Sequence, residues 1–265
     1  MDKHTPKTIV LTGGSSGIGL ATAQLFAAKG WKVFSLSRTE TPAEGVTHIT
    51  CDVTGEQSVN DAIQQVLTCT DHIDVALSNA GYGISGPVEF TELADAKRQF
   101  DVNFFGAVTF VKAVLPQMRK QQGGTILFTS SVAAVLSVPY QSFYSASKAA
   151  INAMALALAN EVRPFGIRVS CLMPGDVATG FTAARNKSQG GESVYTRSQS
   201  AVSAMEKDEQ AGMTPHKMAQ MLWRMANKKT PAPFYIGGTL YRIFGFLDWL
   251  LPKRLVNWIE GRMYA

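Results

Sequence analysis

Residues Thr8–Leu20, with the sequence TIVLTGGSSGIGL, decide the fold of this chain. The apolar and β-branched run from Thr8 to Thr12 predicts a buried strand, which leads into a glycine-rich turn and then into the helical run from Leu20 to Lys29. Glycines permit a tight turn and a close backbone approach, and the amino end of a helix attracts anionic phosphates. The order of strand, turn and helix therefore predicts a dinucleotide phosphate site, and an ordinary glycine-rich turn is the alternative.

Strands and helices continue to alternate along the rest of the chain. The predicted strands after the first are Lys32–Ser37, residues 48–51, Ile73–Ser78, Thr125–Thr129 and Ile167–Leu172. The predicted helices are Ser58–Leu67, residues 91–94, Lys97–Arg119, Ser145–Val162, Ala201–Glu209 and Thr214–Asn227. Repeated strand-helix-strand units predict an α/β fold of the Rossmann type, with one doubly wound parallel sheet in a single domain over residues 1–265.

The composition argues against several other classes of protein. The chain has 265 residues, 46% of them apolar, and a net charge of +5 whose basic residues are spread along the sequence. A spread charge favours a solvated, mildly basic surface over a nucleic-acid site. The three cysteines lack paired spacing and the four histidines lack ligand spacing, so no metal site is expected. Neither a secretory signal nor a run of about 18 apolar residues is present, and this predicts a cytoplasmic protein.

The stretch from Ser131 to Lys148, SVAAVLSVPYQSFYSASK, concentrates residues of catalytic type. Tyr144 and Lys148 are four residues apart in a run of good helix formers, so both side chains project from one face of a helix. Because a nearby ammonium favours the phenolate, we expect Lys148 to lower the pKa of Tyr144 below its usual ~10. A tyrosine tuned in this way exchanges a proton with an alcohol or ketone oxygen. Ser131 follows a predicted strand, at the sheet edge where α/β proteins bind ligands.

A Tyr-x-x-x-Lys pair alone often arises by chance, so the other motifs decide its meaning. Together with Thr-Gly-x-x-x-Gly-x-Gly at the start of the chain, the pair resembles the short-chain dehydrogenase/reductase family, and the resemblance extends from about Thr8 to Thr179. It implies the reversible oxidation of a secondary alcohol to a ketone with a nicotinamide cofactor. The residues that the resemblance assigns to the cofactor are Gly13, Ser15, Ser16, Gly17, Ile18, Gly19, Ser37, Arg38, Asp52, Val53, Asn79, Ala80, Gly81, Tyr144, Lys148, Pro174, Gly175, Val177 and Thr179.

The same resemblance implies a role for each catalytic residue. Ser131 hydrogen-bonds the substrate oxygen, Tyr144 gives or takes the proton, and Lys148 binds the nicotinamide ribose. Asn103 holds a water through a helix distortion and completes a proton relay from Lys148 to solvent. The alternative for Asn103 is an asparagine that is simply hydrogen-bonded to a neighbouring helix.

The end of the second strand favours NADP(H) over NAD(H). An acidic residue there binds the adenosine ribose and repels a 2′-phosphate, whereas a basic residue pairs with that phosphate. The chain offers Ser37 and Arg38, with no carboxylate before Glu40. The alternative is that Arg38 is only a surface residue.

Two later segments are expected to determine the substrate. Residues 181–213 predict a substrate loop with a short helix, which orders over the bound ligand. Residues 234–265 form an apolar extension that is similar to the tails of the hydroxysteroid and retinol dehydrogenase branch of the family. This extension can wall an apolar pocket, pack against another subunit or lie on a membrane surface, and core or interface packing is the favoured interpretation.

The sequence therefore predicts an NADP(H)-dependent oxidoreductase that acts on a lipophilic, steroid-like alcohol or ketone. A reductase of 3-oxoacyl thioesters or a general carbonyl reductase is the alternative within the family. An NADP(H)-binding sensor or scaffold without turnover is the alternative outside enzymes. The family resemblance also implies a homo-oligomer, either a dimer or a tetramer.

Overall fold

The computed structural model describes residues 6–264 of the chain. Residues 1–5 and 265, which belong to the predicted domain 1–265, lie outside the described residues, and residue 265 also belongs to the predicted extension 234–265.

The centre of the molecule is a sheet of seven parallel strands. Its strands follow the order β3-β2-β1-β4-β6-β7-β9 across the sheet, and every neighbouring pair is parallel. The strands are β1 (Thr8–Thr12), β2 (Lys32–Ser37), β3 (Val46–Thr50), β4 (Val75–Ser78), β6 (Gly124–Thr129), β7 (Ile167–Pro174) and β9 (Phe234–Gly237). Two short strands, β5 (Ile84–Ser85) and β8 (Asn186–Lys187), pair with each other outside this sheet.

Helices cover both faces of the sheet, as a parallel sheet requires. They are α1 (Gly17–Ala28), α2 (Glu56–Cys69), α3 (Leu93–Phe100), α4 (Gly106–Lys120), α5 (Ser142–Glu161), α6 (Ser198–Gln210), α7 (Pro215–Ala226), α8 (Thr239–Leu250) and α9 (Lys253–Tyr264). One core cluster contains Phe110 of α4 and Phe128 of β6, and a second contains Phe26 of α1 and Leu222 of α7. These four side chains are fully buried, and the predicted doubly wound parallel sheet is confirmed.

The strand order reverses between β1 and β4, the two strands that flank the switch point of the sheet. From β1 the chain adds strands outward to β3, and it then returns to place β4 on the other side of β1. Connections diverge at such a point and leave a crevice outside the carboxyl ends of the strands. This crevice is where the predicted motifs converge.

The predicted helix Lys97–Arg119 is not continuous in the structure. Helix α3 ends at Phe100, residues Asp101–Phe105 form a π-helical segment, and α4 begins at Gly106. The predicted helix at residues 91–94 is wrong, because a 3₁₀ turn occupies Val88–Phe90 and α3 begins at Leu93. Helix α3 and the π-helical segment both pack against α5.

The segment after α7 contains more regular structure than the sequence suggested. Strand β9 adds to the edge of the sheet beside β7, and α8 and α9 follow it. Within residues 6–264, no helix combines the length and the hydropathy needed to cross a bilayer.

Candidate active site

The turn between β1 and α1 has the geometry of an anion site. Gly13 adopts a φ of 67°, which favours glycine, and a Cβ built on Gly19 would lie only 2.1 Å from the carbonyl oxygen of Gly13. Helix α1 begins at Gly17, the Ser16 side chain makes no capping hydrogen bond, and the first turn contains no acidic residue. Its amide groups therefore face the crevice without a capping side chain or a repelling carboxylate, and these residues fit a dinucleotide phosphate.

The predicted adenosine-side residues line the same crevice as this turn. Ser37 is buried and its hydroxyl donates to the Thr39 carbonyl oxygen at 2.9 Å, whereas Arg38 is exposed. Hydrogen bonds from the Thr54 amide and hydroxyl lower the pKa of Asp52, and the charge of Arg38 contributes in the same direction. The exposed guanidinium of Arg38 thus stands at the end of β2 beside a carboxylate that stays ionised.

Asn79, Ala80 and Gly81 tie the end of β4 to the phosphate turn. The Thr12 hydroxyl accepts hydrogen bonds from the Asn79 amide at 3.0 Å and the Ala80 amide at 3.1 Å. The Asn79 side chain donates to the Gly13 carbonyl oxygen at 3.2 Å and accepts from the Thr129 hydroxyl at 2.9 Å. These bonds hold three strand ends together at the floor of the crevice.

Ser131 and Tyr144 lie together on the wall of the crevice. Ser131 is 8% exposed, and its hydroxyl oxygen accepts a hydrogen bond from the Ala133 amide at 3.1 Å. The Ser131 hydroxyl also hydrogen-bonds Tyr144, so the two hydroxyl groups face the same point of the crevice. The Tyr144 ring is partly buried and packs against Phe181, with 5.6 Å between the ring centroids.

Lys148 reaches the crevice from the turn of α5 that follows Tyr144. Its ammonium donates to the Thr129 carbonyl oxygen at 2.9 Å and lies 5.8 Å from the centre of the Tyr144 ring. A Cβ at Gly81 would lie 3.4 Å from this ammonium, so the glycine leaves room for it. The residue is 5% exposed, and burial lowers the pKa of Lys148 to about 8.

The prediction that Lys148 lowers the pKa of Tyr144 is wrong in this structure. Burial dominates and raises the pKa of Tyr144 to about 12, while the Ser131 hydroxyl acts in the opposite direction. Withdrawal from water penalises the phenolate more than the nearby groups stabilise it. Tyr144 is thus protonated at neutral pH, and burial makes it a weaker acid than a free tyrosine.

Asn103 sits in the π-helical segment Asp101–Phe105 and is 1% exposed. Its side-chain oxygen accepts from the Tyr82 amide at 3.0 Å, and its nitrogen donates to the Tyr82 carbonyl oxygen at 3.0 Å and to the Ser147 hydroxyl at 3.1 Å. The expected helix distortion is present, and so is the alternative contact with a neighbouring helix, because Ser147 belongs to α5. One amide thereby joins the loop after β4 to the helix that carries Tyr144 and Lys148.

The segment Pro174–Thr179 forms the wall of the crevice opposite α5. Val177 forms a β-bridge with Met213, and the Thr179 hydroxyl accepts from the Phe181 amide at 3.1 Å. The ring of Tyr241 packs where a side chain on Gly175 would stand, since a Cβ there would lie 2.0 Å from Tyr241 Cδ2. The C-terminal extension thus reaches the predicted nicotinamide segment directly.

The substrate end of the crevice contains residues that sequence reasoning missed. The whole crevice has a volume of about 1910 Å³. Lining residues that the sequence did not single out include Gln141, Asp176, Met205, Asp208, Glu209, Tyr241, Phe244, Leu251 and Glu260, and Arg98 lines the crevice nearer to Asp52. Most of them belong to the two segments that were expected to determine the substrate, but no local spacing marks which members of those segments face the crevice. Gln141 directly precedes the first residue of α5.

Residues 181–213 are held in place by ion pairs. The Arg185 side chain is fully buried and forms a charge-assisted hydrogen bond with Glu209. The Thr182 hydroxyl also donates to Glu209 at 2.6 Å, and Lys187 pairs with Glu206 at 2.9 Å. These contacts fix α6 over the end of the crevice that contains Tyr144 and Phe181.

Comparisons with known proteins agree with this geometry. A family model described as short chain dehydrogenase matches residues 7–190. The chain is 38% identical to the 3-ketodihydrosphingosine reductase of Bacteroides thetaiotaomicron, with 98% of both chains covered, and 36% identical to human retinol dehydrogenase 8 over 66% of this chain and 60% of that protein. A short-chain dehydrogenase structure from Streptomyces avermitilis superposes with a TM-score of 0.84 at 27% identity, with 98% of each chain covered.

Proposed function

The chain belongs to the short-chain dehydrogenase/reductase family, whose members are oxidoreductases with a nicotinamide cofactor, and from this membership we propose that it reduces the keto group of a long-chain lipophilic ketone with NADPH. One observation carries the proposal. A single crevice joins the Ser131, Tyr144 and Lys148 side chains to an apolar wall built from α8 and α9. The reactive groups are therefore placed at the polar end of a site whose other end suits an alkyl chain.

The residues of this chain divide the chemistry of ketone reduction among them. NADPH, when bound, supplies the hydride that is added to the carbonyl carbon. Ser131 donates a hydrogen bond to the carbonyl oxygen and stabilises the negative charge that develops on it. Tyr144 donates its proton to that oxygen, and the hydrogen bond of the Ser131 hydroxyl, which lowers the pKa of Tyr144 against the effect of burial, favours this transfer. Lys148 holds the nicotinamide ribose, and Asn103 continues the path by which Tyr144 is reprotonated.

Arg38 supports NADPH over NADH as the reductant. Its exposed guanidinium ends β2 on the wall of the crevice, where a 2′-phosphate accepts paired hydrogen bonds from a guanidinium. No carboxylate stands at this strand end before Glu40. We assign the remaining predicted cofactor contacts to the residues of the phosphate turn, the β4 end and the Pro174–Thr179 segment.

The substrate that we propose is an acyclic long-chain amino ketone rather than a steroid. The relative with the same length and 38% identity is a 3-ketodihydrosphingosine reductase, and a sphingoid ketone is a long-chain amino ketone. Asp176, Asp208 and Glu209 line the crevice, and Glu209 lies close enough to raise the pKa of Tyr144 by its charge. Because Glu209 is paired with Arg185 and Asp176 accepts from Tyr241, Asp208 is the carboxylate that suits an ammonium group placed next to the reacting carbonyl.

We further propose that residues 181–213 form the substrate wall, with α6 as its rigid part, and that residues 234–265 close the apolar end. Free thiols at Cys51, Cys69 and Cys171 support a reducing, cytoplasmic setting. A homo-oligomeric assembly stays a proposal that rests on the family resemblance.

The proposal is tested by following NADPH and NADH oxidation with three ketones in detergent micelles: 3-ketodihydrosphingosine, its analogue without the amino group, and a steroid ketone. A 3-oxoacyl thioester serves as the fourth substrate. We expect NADPH and 3-ketodihydrosphingosine to give the highest kcat/KM. The Asp208→Asn variant should lower kcat/KM about tenfold for the amino ketone and leave the analogue unchanged, because only the amino ketone carries the charge that Asp208 attracts.

Each outcome decides between the candidates. Preference for the thioester or the steroid ketone would replace the amino ketone as the substrate class. Tight NADPH binding without turnover of any of the four substrates would support the sensor or scaffold instead.

A further inference from the structure

Helices α8 and α9, which we call the C-terminal hairpin, expose far more apolar surface than the rest of the molecule. Most of the large apolar side chains that stand exposed in the described part of the chain belong to this hairpin. They are Leu240, Ile243, Phe246, Leu247, Trp249, Leu250, Leu255, Trp258 and Ile259. Soluble proteins seldom leave a contiguous patch of this kind without a partner.

The exposed side chains follow the period of a helix. On α8, Leu240, Ile243, Leu247 and Leu250 recur at intervals of three and four residues and form one stripe. Tyr241 and Phe244 project to the other side and line the crevice. The hairpin is therefore two-sided, with one apolar face on the active site and another towards the outside.

The charges of the hairpin are sorted between these two sides. Arg242, Arg254 and Arg262 are exposed. The acidic residues Asp248 and Glu260 line the crevice, and the Asp248 side chain is 11% exposed and paired with Lys253. The outer side is thus apolar, aromatic and positively charged, which is the pattern of helices that lie on anionic membranes.

The outer apolar face is continuous with the crevice. Leu240, Leu247 and Ile259 are 55%, 37% and 39% exposed, and all three also line the crevice. They form the rim where the apolar end of the active site opens. Whatever covers the outer face therefore also covers this opening.

We propose that the C-terminal hairpin binds the surface of an anionic lipid bilayer, with Trp249 and Trp258 at the headgroup level and the rim of the crevice turned towards the lipid. Helices of 12 residues each are only about 18 Å long, so they lie in the plane of the interface and do not span it. A second copy of the chain fits less well, because a symmetric contact would bring the basic residues of both copies together. Anionic headgroups instead pair with them.

The surface site stands independently of the proposed reaction, since lipid binding is measured without substrate. In a flotation assay, the full chain is mixed with vesicles of phosphatidylcholine, or of phosphatidylcholine with phosphatidylglycerol. We expect it to float with the anionic vesicles, to float much less with the neutral ones, and to be released by high salt. Its tryptophan emission should shift to shorter wavelength only with the anionic vesicles.

Two variants locate the contact on the hairpin. The Trp249→Ser/Trp258→Ser pair and the Arg242→Glu/Arg254→Glu pair should each lower the vesicle-bound fraction at least about tenfold. None of these four residues lines the crevice, so NADPH-dependent turnover of a short, water-soluble ketone should be unchanged in both. A Leu93→Ser/Val194→Ser control removes two exposed apolar side chains, 63% and 67% exposed, outside the hairpin and should bind like the wild type.

Three results would overturn the proposal. One is a wild-type protein that stays in solution with both kinds of vesicle. Another is binding that the control pair weakens as much as the hairpin pairs do. The third is a dimer that dissociates in the tryptophan variant while vesicle binding stays weak, because the hairpin would then be the contact between two copies.

Discussion

The active-site region and the C-terminal hairpin treat polar and apolar side chains in opposite ways. In the first, Asn103, Ser131 and Lys148 are between 1% and 8% exposed, although all three are polar or charged. In the second, Trp249 and Trp258 are 78% and 58% exposed, although both are large and apolar. Each arrangement lowers the stability of the folded protein. Buried polar groups lose their hydration, and exposed apolar groups keep an unfavourable contact with water.

The difference separates two tasks. Proton transfer needs groups that are withdrawn from water and fixed by hydrogen bonds. Residues at the ends of β1, β4 and β6 make the hydrogen bonds that fix these groups. Acceptance of a lipophilic substrate needs apolar surface at the opening of the site, and the hairpin supplies it. Substitutions in the active-site region should therefore lower the turnover of every substrate. Substitutions on the outer face of the hairpin should lower only the binding of the protein to lipid vesicles.

The largest expected effect is that of Tyr144→Phe. Loss of the phenol removes the proton donor, and turnover of both lipophilic and water-soluble ketones should fall by ~10³-fold. NADPH binding, followed by the quenching of tryptophan fluorescence, should persist. The control is Tyr195→Phe, which removes a hydroxyl that donates to Glu89 on the exposed surface. Activity of Tyr144→Phe within tenfold of the wild type would show that another group donates the proton.

The next prediction concerns the free energy of unfolding. It tests whether the buried Lys148 of the active site destabilises the folded protein. Burial lowers the pKa of Lys148 from 10.5 to about 8, so the unfolded state binds more protons than the folded state between these two values. The stability of the wild type relative to Lys148→Met should therefore rise by about 3 kcal/mol as the pH increases through that window. Below pH 8 Lys148 is protonated in both the folded and the unfolded state, and the folded protein bears the full free-energy cost of burying its charge.

Urea unfolding of both proteins at pH 7, 8, 9 and 10 measures this difference. Contributions that do not depend on protonation, such as the packing of the buried Lys148 stem, cancel in the comparison across pH. A stability difference that does not change with pH would mean that Lys148 titrates normally in the folded protein.

More of the active-site region than of the C-terminal hairpin could be predicted from the sequence. Most of the chain up to Thr179 was predictable, because strand runs, glycine turns and helix spacing are local signals, and β1, β2, β3, β4, β6 and β7 lie close to where they were expected, whereas β5 was not predicted. Asn103 was also found, but the sign of the Tyr144 pKa shift was not, since burial by Phe181 and the surrounding elements is a tertiary effect. The sequence predicts the hairpin only as an apolar extension, because its helices carry apolar residues both on the crevice side and on the outer side.

A smaller effect is expected from Arg38→Ala, which tests the cofactor end of the first region. Loss of a charge-assisted contact with the 2′-phosphate should lower kcat/KM for NADPH by about 10–100-fold and leave that for NADH unchanged. Arg224→Ala, which removes an exposed arginine of α7 that does not line the crevice, is the control. Equal losses with both cofactors would assign Arg38 to the surface rather than to the phosphate.

The smallest effect tests the junction where the two regions meet. The Tyr241 hydroxyl of α8 donates a hydrogen bond to Asp176, in the segment beside the predicted nicotinamide site. Burial raises the pKa of Asp176, and this hydrogen bond opposes the rise. Tyr241→Phe should therefore raise the pKa of Asp176 further and lower the free energy of unfolding by about 1 kcal/mol at pH 7.

The loss of stability caused by Tyr241→Phe should depend on pH, and the sign of this dependence distinguishes the hydrogen bond to Asp176 from apolar packing. A carboxyl group whose pKa is raised on folding destabilises the protein when it is ionised, so the cost of Tyr241→Phe should shrink as the pH falls towards 4 and Asp176 becomes increasingly protonated in the folded protein. Tyr235→Phe is the matched control, because its hydroxyl accepts from the Ala232 amide and its loss should cost the same at both pH values. Urea unfolding at pH 4 and pH 7 measures both. If the cost of Tyr241→Phe were also independent of pH, the hairpin would be held to the active site by apolar packing alone, and the two regions would share no electrostatic coupling.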